Sequence, residues 1–407
     1  MAAPRTVFLA AVGDVNNPVT WSGTPYHLLQ AGRRANLIHE GLDLSVDSWH
    51  WKLRRAGWNA AQVGLRFTRP GGYQYSDVFL ERLWGAVHAK IPGVAVINCF
   101  QLFAPSVVTN RAVEKWFYVD MTLFQLFNDY GIRNSIGARI AKHALAREAE
   151  GYRSAAGVIC HSKWAARSMT EHYNLPESKI HVVVPGASVD LDAYARWERE
   201  FELKNVQPFN EIVPLKLICV GKYWRRKGLD RLLVALEIAR RRGANIILRV
   251  IGCERRTLPA ELQQVDGVEW LGFMDKRAGA DRFLDAVSEC DIGCQLSRAE
   301  AGGIAQREFH ALGLPVLGTG VGGASEHRIR GASIEVGVDA SNEEIAHVLF
   351  ELARNPERVS ALKVSAWESR REALWPASVM KLQRILESSV EKGASEAVVL
   401  KNNVASL

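Results

Sequence analysis

Several signatures are missing from this 407-residue chain, and each absence narrows what it can do. No Gly-x-Gly-x-x-Gly follows the first apolar run and no Gly-x4-Gly-Lys-Ser/Thr occurs, which argues against a nicotinamide enzyme or a P-loop nucleotidase. Long hydrophobic runs are also missing. The N-terminal "TVFLAAVG" is stopped by Gly13 and Asp14 and is too short to span a bilayer, so it reads as a buried first strand, with no signal peptide or membrane span expected. Cys99, Cys160, Cys219, Cys253, Cys290 and Cys294 are scattered, with no CxxC pair and no histidine at metal-ligand spacing. Reduced, buried thiols in a cytoplasmic protein are expected. There is no short-period repeat, low-complexity tract or acidic metal motif, and no metal or cofactor is expected.

What remains is ordinary for a folded protein: 48% hydrophobic and 23% charged residues. The length implies two domains. A net charge of +7 favours an anionic partner, whether nucleotide, phosphorylated substrate, acidic lipid surface or nucleic acid.

Short apolar runs alternate with helix-like segments from the start: "TVFLAAVG", "NAAQVGLRF", "GVAVINCF", "WFYVDM", "GVICHS" and "IHVVVPG" read as buried strands. That grammar implies an α/β fold, a parallel sheet with helices on both faces. A polar, charged stretch over 193–214 reads as a linker, after which the grammar restarts with "LKLICVG", "NIILRVIG", "GVEWLGF", "DIGCQLS" and "LPVLGTG". The expected organisation is a Rossmann-like domain over 1–192, the linker, a second over 215–375, an amphipathic helix over 376–393 and a loose tail over 394–407. Two doubly wound units in tandem are expected to face each other across a cleft at the carboxyl ends of their strands.

The chemistry concentrates in "SRAEAGGIAQREFHALGLPVLGTGVGG". A helix starting after Gly302-Gly303 places Ile304, Glu308 and Leu312 on one stripe, so Glu308 falls in a buried arc and needs hydrogen-bonding partners, for which ligand hydroxyls are suited. Gly302 and Gly303 allow close approach to the backbone, the helix N-terminus suits phosphate oxygens, and Glu300 flanks that spot. The competing reading makes Glu300 a solvated loop residue and Glu308 a helix-surface residue. In "VGKYWRRKGLDRLL", Lys222 and Lys227 sit between a strand and a helix, where two cations can neutralise a diphosphate. Arg225 and Arg226 read as a solvated basic face.

In the first half, Gly23 of "WSGTPYHLLQA" sits before a helix and permits close approach of a diphosphate or sugar. Asp120 ends the strand "WFYVDM" and is read as a ligand-orienting group; a helix N-cap would use the same geometry. His161 and Ser162 read as structural, capping the next helix.

Glu300-x7-Glu308 followed by "ALGLPVLGT", with "VGKYWRRKG" upstream, "WLGF" between and "VICHSKWAARSMTEHYNLPESKIHVVVPGA" closing the first half, resembles the family 4 retaining glycosyltransferases of the GT-B fold. The resemblance implies that Glu308 holds the nucleotide ribose and Glu300 a hydroxyl of the donor sugar. It places the backbone of Gly302, Gly303 and Ile304 against sugar and diphosphate, Lys222 and Lys227 on the diphosphate, Phe273 beside the nucleobase, and Gly23 in the first domain's glycine loop. Lys222 stands where the family more often has arginine, which removes a bidentate fork. The family's first-domain histidine has no clear counterpart, and Asp120 or Gln101 occupies that neighbourhood.

The implied partners are a nucleotide sugar and a hydroxyl acceptor, not nucleic acid, whose binding modules leave signatures missing here. A GT-B sugar-nucleotide epimerase and a non-catalytic binding protein are the rival readings. The segments "HWKLRRAGWN" and "RNSIGARIAKHALAREAEGYRS" are basic enough for peripheral membrane contact and a lipid-linked acceptor, although a solvated helix has the same composition.

Overall fold

The computed structural model describes residues 6–46, 48–64, 71–203, 213–276 and 279–404. The chain divides into two compact units, one of Met1–Val184 with Trp375–Leu407 and the other of Pro185–Leu374.

In the first unit the apolar runs become strands: β1 (Val7–Ala10), α1 (Thr24–Arg34), β2 (Glu40–Gly41), α2 (Trp49–Gly64), β3 (Ala95–Asn98), β4 (Glu114–Val119), α3 (Leu123–Asn128), α4 (Ala138–Ser154), β5 (Gly157–Cys160), α5 (Lys163–Tyr173) and β6 (Ile180–Val182). They form one parallel sheet in the order β2-β1-β3-β4-β5-β6. Every residue of β1, β3 and β5 is buried, as expected for strands covered on both faces. The C-terminal helix Trp375–Val404 belongs to this unit and packs on α1.

The second unit opens with α6 (Leu191–Leu203) and continues with β7 (Leu215–Val220), α7 (Trp224–Lys227), α8 (Leu229–Arg241), β8 (Ile246–Ile251), β9 (Val268–Gly272), β10 (Ile292–Gln295), α9 (Ile304–Ala311), β11 (Val316–Thr319) and β12 (Ser333–Val336). Its parallel sheet has the order β9-β8-β7-β10-β11-β12. The chain winds outward from β7 through β8 to β9, then returns to β7's other side with β10. That reversal makes the carboxyl ends of β7 and β10 the switch point at which such sheets bind ligands.

Three sequence expectations need correction. Asn59–Gly64 of "NAAQVGLRF" is the last part of α2, because Trp51, Trp58 and Gln62 recur at helical spacing on its buried side; residues 65–67 lie outside the described residues. The boundary between the units falls at Val184/Pro185 instead of 192, and 193–203 of the expected linker belongs to α6, whose Tyr194 and Trp197 are buried in the second unit's core. The C-terminal helix runs to Val404, past the expected start of a tail at 394.

One buried acid in the first unit gives folding a pH dependence. Glu148 on α4 is fully buried and accepts hydrogen bonds from the Leu123 amide at 2.8 Å, the Tyr152 hydroxyl at 2.6 Å and the Tyr173 hydroxyl. Burial pushes its pKa up to about 8, with the two tyrosines and the amide pulling the other way. Because the folded pKa lies above the unfolded one, the folded state holds the extra proton, and the stability this contributes is lost as pH rises toward 8. The melting temperature should therefore fall over that range, and Glu148→Gln, which keeps a neutral hydrogen-bonding group, should flatten the profile.

Candidate active site

The switch point of the second unit holds the residues that the sequence marked. After β7 the chain turns through Gly221 and Lys222 into α7; after β10 it runs through Leu296 to Gly303 into α9. The two loops are tied directly. The Arg298 amide donates to the Arg226 carbonyl at 2.9 Å, the Arg226 guanidinium donates to the Ala299 carbonyl at 3.0 Å, and Arg298 makes a two-pronged bond to Asp230 with both distances at 2.8 Å.

Glu300 lies at the centre of this junction and is 8% exposed. One carboxylate oxygen accepts from Lys227 Nζ at 2.5 Å, Gln295 Nε2 at 2.8 Å, Arg226 at 3.2 Å and the Ser297 hydroxyl at 3.2 Å. Burial pushes its pKa up, but the Lys227 and Arg226 charges with the Lys227 and Ser297 bonds outweigh this and hold it below the usual carboxylate range. It is an ionised, enclosed acid with two cations on it, not a solvated loop residue. Arg226, read from sequence as solvated, is one of those cations; Arg225 is exposed.

Glu308 lies on α9 at 3% exposure, and its carboxylate is paired with Lys276 Nζ. It is not on the helix surface. Lys276 also lies 4.1 Å from the centre of the Phe283 ring. Nothing in the spacing of the sequence marked Lys276; its position a few residues after "WLGF" was the only pointer to it. The two acids therefore hold separate cations and share no partner among the described residues.

Gly302 and Gly303 precede α9, with Gly303 at φ +90° as the residue before its first turn and no side chain capping the helix. A Cβ on Gly302 would stand 2.5 Å from the His327 ring, so that imidazole lines the turn. Gln306, one turn into α9, is fully buried, and neither atom of its carboxamide has a hydrogen-bond partner among the described residues. An unsatisfied buried amide is costly, and this one was invisible to sequence reasoning, which counted only charges.

Lys222 and Lys227 make different contacts. Lys222 is exposed, with Nζ 4.7 Å from the centre of the Phe273 ring, itself 63% exposed. Lys222, Tyr223, Trp224, Arg225, Arg226, Thr257 and Arg298 line an open pocket of about 770 Å³. Its walls are aromatic rings and cations, complementary to an anionic ligand with a planar group.

In the first unit, Asp120 follows β4 and is half-buried, beside Cys99 at the end of the neighbouring strand β3, whose thiol is pushed up by burial and then by the Asp120 charge. It is not the cap of α3: Thr122 is, through a capping box with Gln125. Gln101 is buried, donating to the Met121 carbonyl at 3.1 Å, with its own carbonyl oxygen lacking a hydrogen-bond partner among the described residues. Ser162 caps α5 by accepting from the Ala165 amide at 3.2 Å. Gly23 precedes α1 at φ +85° and follows Trp21 and Ser22, both also in the left-handed region at +50° and +58°. Two consecutive non-glycine residues in that region mark a strained turn, a feature that clusters at ligand-binding loops.

Residues 214–355 match the family model for glycosyl transferases group 1. The matched stretch lies entirely within the second unit. All of the site residues of that unit lie inside the matched stretch. A D-inositol 3-phosphate glycosyltransferase of Thermobispora bispora is 25% identical over 253 residues, which is 58% of this chain and 56% of the relative. The chain thus spans little more than half the length of the curated relatives it matches. Among solved structures, sucrose-phosphate synthase of Thermosynechococcus elongatus superposes with a TM-score of 0.65 at 15% identity, covering 95% of this chain and all of that one. HepE of Anabaena, solved with UDP, gives 0.61 at 14%, covering 94% and 100%. The fold is GT-B.

Proposed function

We propose that this chain is a group 1 glycosyltransferase that moves a hexosyl group from a UDP- or GDP-linked sugar to an acceptor hydroxyl, with retention of anomeric configuration. The observation that carries this reading is the enclosed Glu300 held by Lys227 and Arg226 beside the uncapped start of α9.

On donor binding, the α9 amides at Gly302–Ile304 and the Lys227 ammonium take the diphosphate, with Lys222 at its outer side. Glu300 exchanges the Lys227 contact for a hydroxyl of the donor sugar. Glu308 exchanges Lys276 for the ribose hydroxyls, and Phe273 borders the base. As the bond between the anomeric carbon and the phosphate oxygen breaks, negative charge grows on the leaving diphosphate and positive charge on the sugar ring. Cations and amides fixed in advance stabilise the former, in the role a divalent cation fills elsewhere. The leaving phosphate oxygen takes the acceptor's proton on the same face of the sugar while the acceptor oxygen bonds to the anomeric carbon, which yields retention and needs no enzymic nucleophile. Within the first unit, Asp120 is the ligand-orienting group and Gly23 allows close approach of a ligand to the backbone.

We place this activity in the cytoplasm, peripheral to the membrane, in bacterial polysaccharide, glycolipid or glycoconjugate synthesis. The basic composition supports the membrane contact, and the likeness to an inositol phosphate glycosyltransferase supports transfer to a hydroxyl acceptor. The test is incubation with UDP- and GDP-sugars, with a chelator present, with and without a panel of hydroxyl acceptors. Nucleoside diphosphate should appear only when an acceptor is supplied, and NMR of the product should show the donor's anomeric configuration. An isomerised sugar nucleotide formed without acceptor would mean an epimerase and overturn the reading.

A further inference from the structure

Helix α2 carries two apolar stripes on opposite sides. The inner one seats Trp51 edge-on to Phe79 with ring centres 5.3 Å apart, Trp58 against Tyr73 at 5.8 Å, and the buried Gln62; the Trp58 indole also donates to the Gly71 carbonyl at 3.2 Å. The outer stripe runs through Trp49, Leu53, Ala56, Ala60 and Val63, spaced four and three residues alternately, so it stays on one face along the whole helix. All five are exposed, with Trp49 at 62%, Leu53 at 55% and Val63 at 60%. An apolar stripe of this length turned to solvent marks a contact surface.

The charges decide what it contacts. Between 49 and 64 there is no aspartate or glutamate, while His50, Lys52, Arg54 and Arg55 are all exposed; Lys52 borders the outer stripe, and the Arg54 guanidinium lies 5.7 Å from the centre of the Trp51 ring. A second copy of α2 could match the spacing, but it would bring six lysines and arginines together with no carboxylate from either helix. The other basic segment, α4, has acids against its cations: Arg147 is bonded to Glu150 on the same helix and to Asp77 of a neighbouring one. Among the described residues no helix is long and apolar enough to cross a membrane. A helix with an aromatic and aliphatic face, basic flanks and no acids fits an anionic bilayer surface, lying in the headgroup layer with Trp49 at the boundary.

We infer that α2 is the membrane-docking element, seating the first unit on an anionic lipid surface through Trp49, Leu53 and Val63, with Lys52 and Arg55 on the phosphates. This deepens the membrane-contact part of the proposed function and rests on that part alone.

The test is flotation of the full chain with vesicles of phosphatidylcholine, alone or mixed with phosphatidylglycerol, at low and high salt. The chain should float with the mixed vesicles at low salt and remain behind with phosphatidylcholine alone. Lys52→Gln with Arg55→Gln should weaken partitioning about 30-fold, from the usual worth of two juxtamembrane cations. Trp49→Ser with Leu53→Ser should abolish it. All four side chains lie on the solvent side of α2, so circular dichroism should match wild type; if the second pair unfolds, the first still reads the surface. Wild type that fails to float with phosphatidylglycerol overturns the proposal, as do variants that float like wild type or a concentration-dependent dimer that Leu53→Ser dissolves. Flotation uses no donor sugar, so its failure leaves the transfer reading standing, and failed transfer leaves flotation standing.

Discussion

Lys227→Ala is expected to lower turnover with a nucleotide sugar by about 10²- to 10³-fold, the usual cost of removing one preplaced group from a developing negative charge. The Lys227 side chain is 12% exposed and already held at the site by Glu300, so its ammonium needs little reorganisation of solvent to act. Deleting it also leaves Glu300 buried with one cation fewer, yet Arg226, Gln295 and Ser297 still donate to the same oxygen. The melting temperature should fall modestly while kcat falls steeply and the donor KM changes little. Unchanged turnover would remove Lys227 from the site; a collapse of the fold that accounts for all lost activity would make the pair structural.

Gly228→Ala is expected to destabilise the second unit by about 4 kcal/mol, in the range reserved for steric conflicts without relief. Gly228 joins α7 to α8 at φ +71°, and an added Cβ would stand 1.9 Å from the Leu296 carbonyl oxygen of the β10 loop. Both partners are backbone, so no rotamer change resolves the clash. Because the displaced loop is the one that leads to Glu300, donor binding should be lost along with stability. Gly243→Ala is the control: it has φ +92° but nothing within 4 Å of the added carbon, and it should cost only the dihedral penalty of about 1 to 2 kcal/mol. Thermal or denaturant unfolding of the two variants reads the difference.

These expectations rest on residues that the sequence partly disclosed. Most of the parallel strands were legible because each is a short, nearly continuous apolar run, although β12, which alternates polar and apolar residues, was not among the expected strands; the burial of Glu308 followed from helical periodicity. The two-residue strand β2 was not legible, since Glu40 and Gly41 carry no apolar signal, and the end of α2 was misread because its alanines and valine suit a strand as well as a helix. At the site, the acids and Lys227 stood out by type and spacing. Arg226 and Lys276 did not, because the acid each cation meets is more than thirty positions away in sequence and only the fold makes it a neighbour. Gln306 was hidden for another reason: its interest lies in an unsatisfied amide within a closed space, a property of packing and not of residue order. In the first unit, the strained Trp21–Gly23 turn is a structural observation without a sequence signature stronger than one glycine.

The most direct measurement is a crystal structure of the chain with a nucleoside diphosphate bound. The diphosphate should lie within hydrogen-bonding distance of the Gly302–Ile304 amides and Lys227, with the Glu308 carboxylate released from Lys276 and accepting from both ribose hydroxyls. A nucleotide seated elsewhere, with Glu308 still paired to Lys276 and Lys227 still on Glu300, would contradict the account.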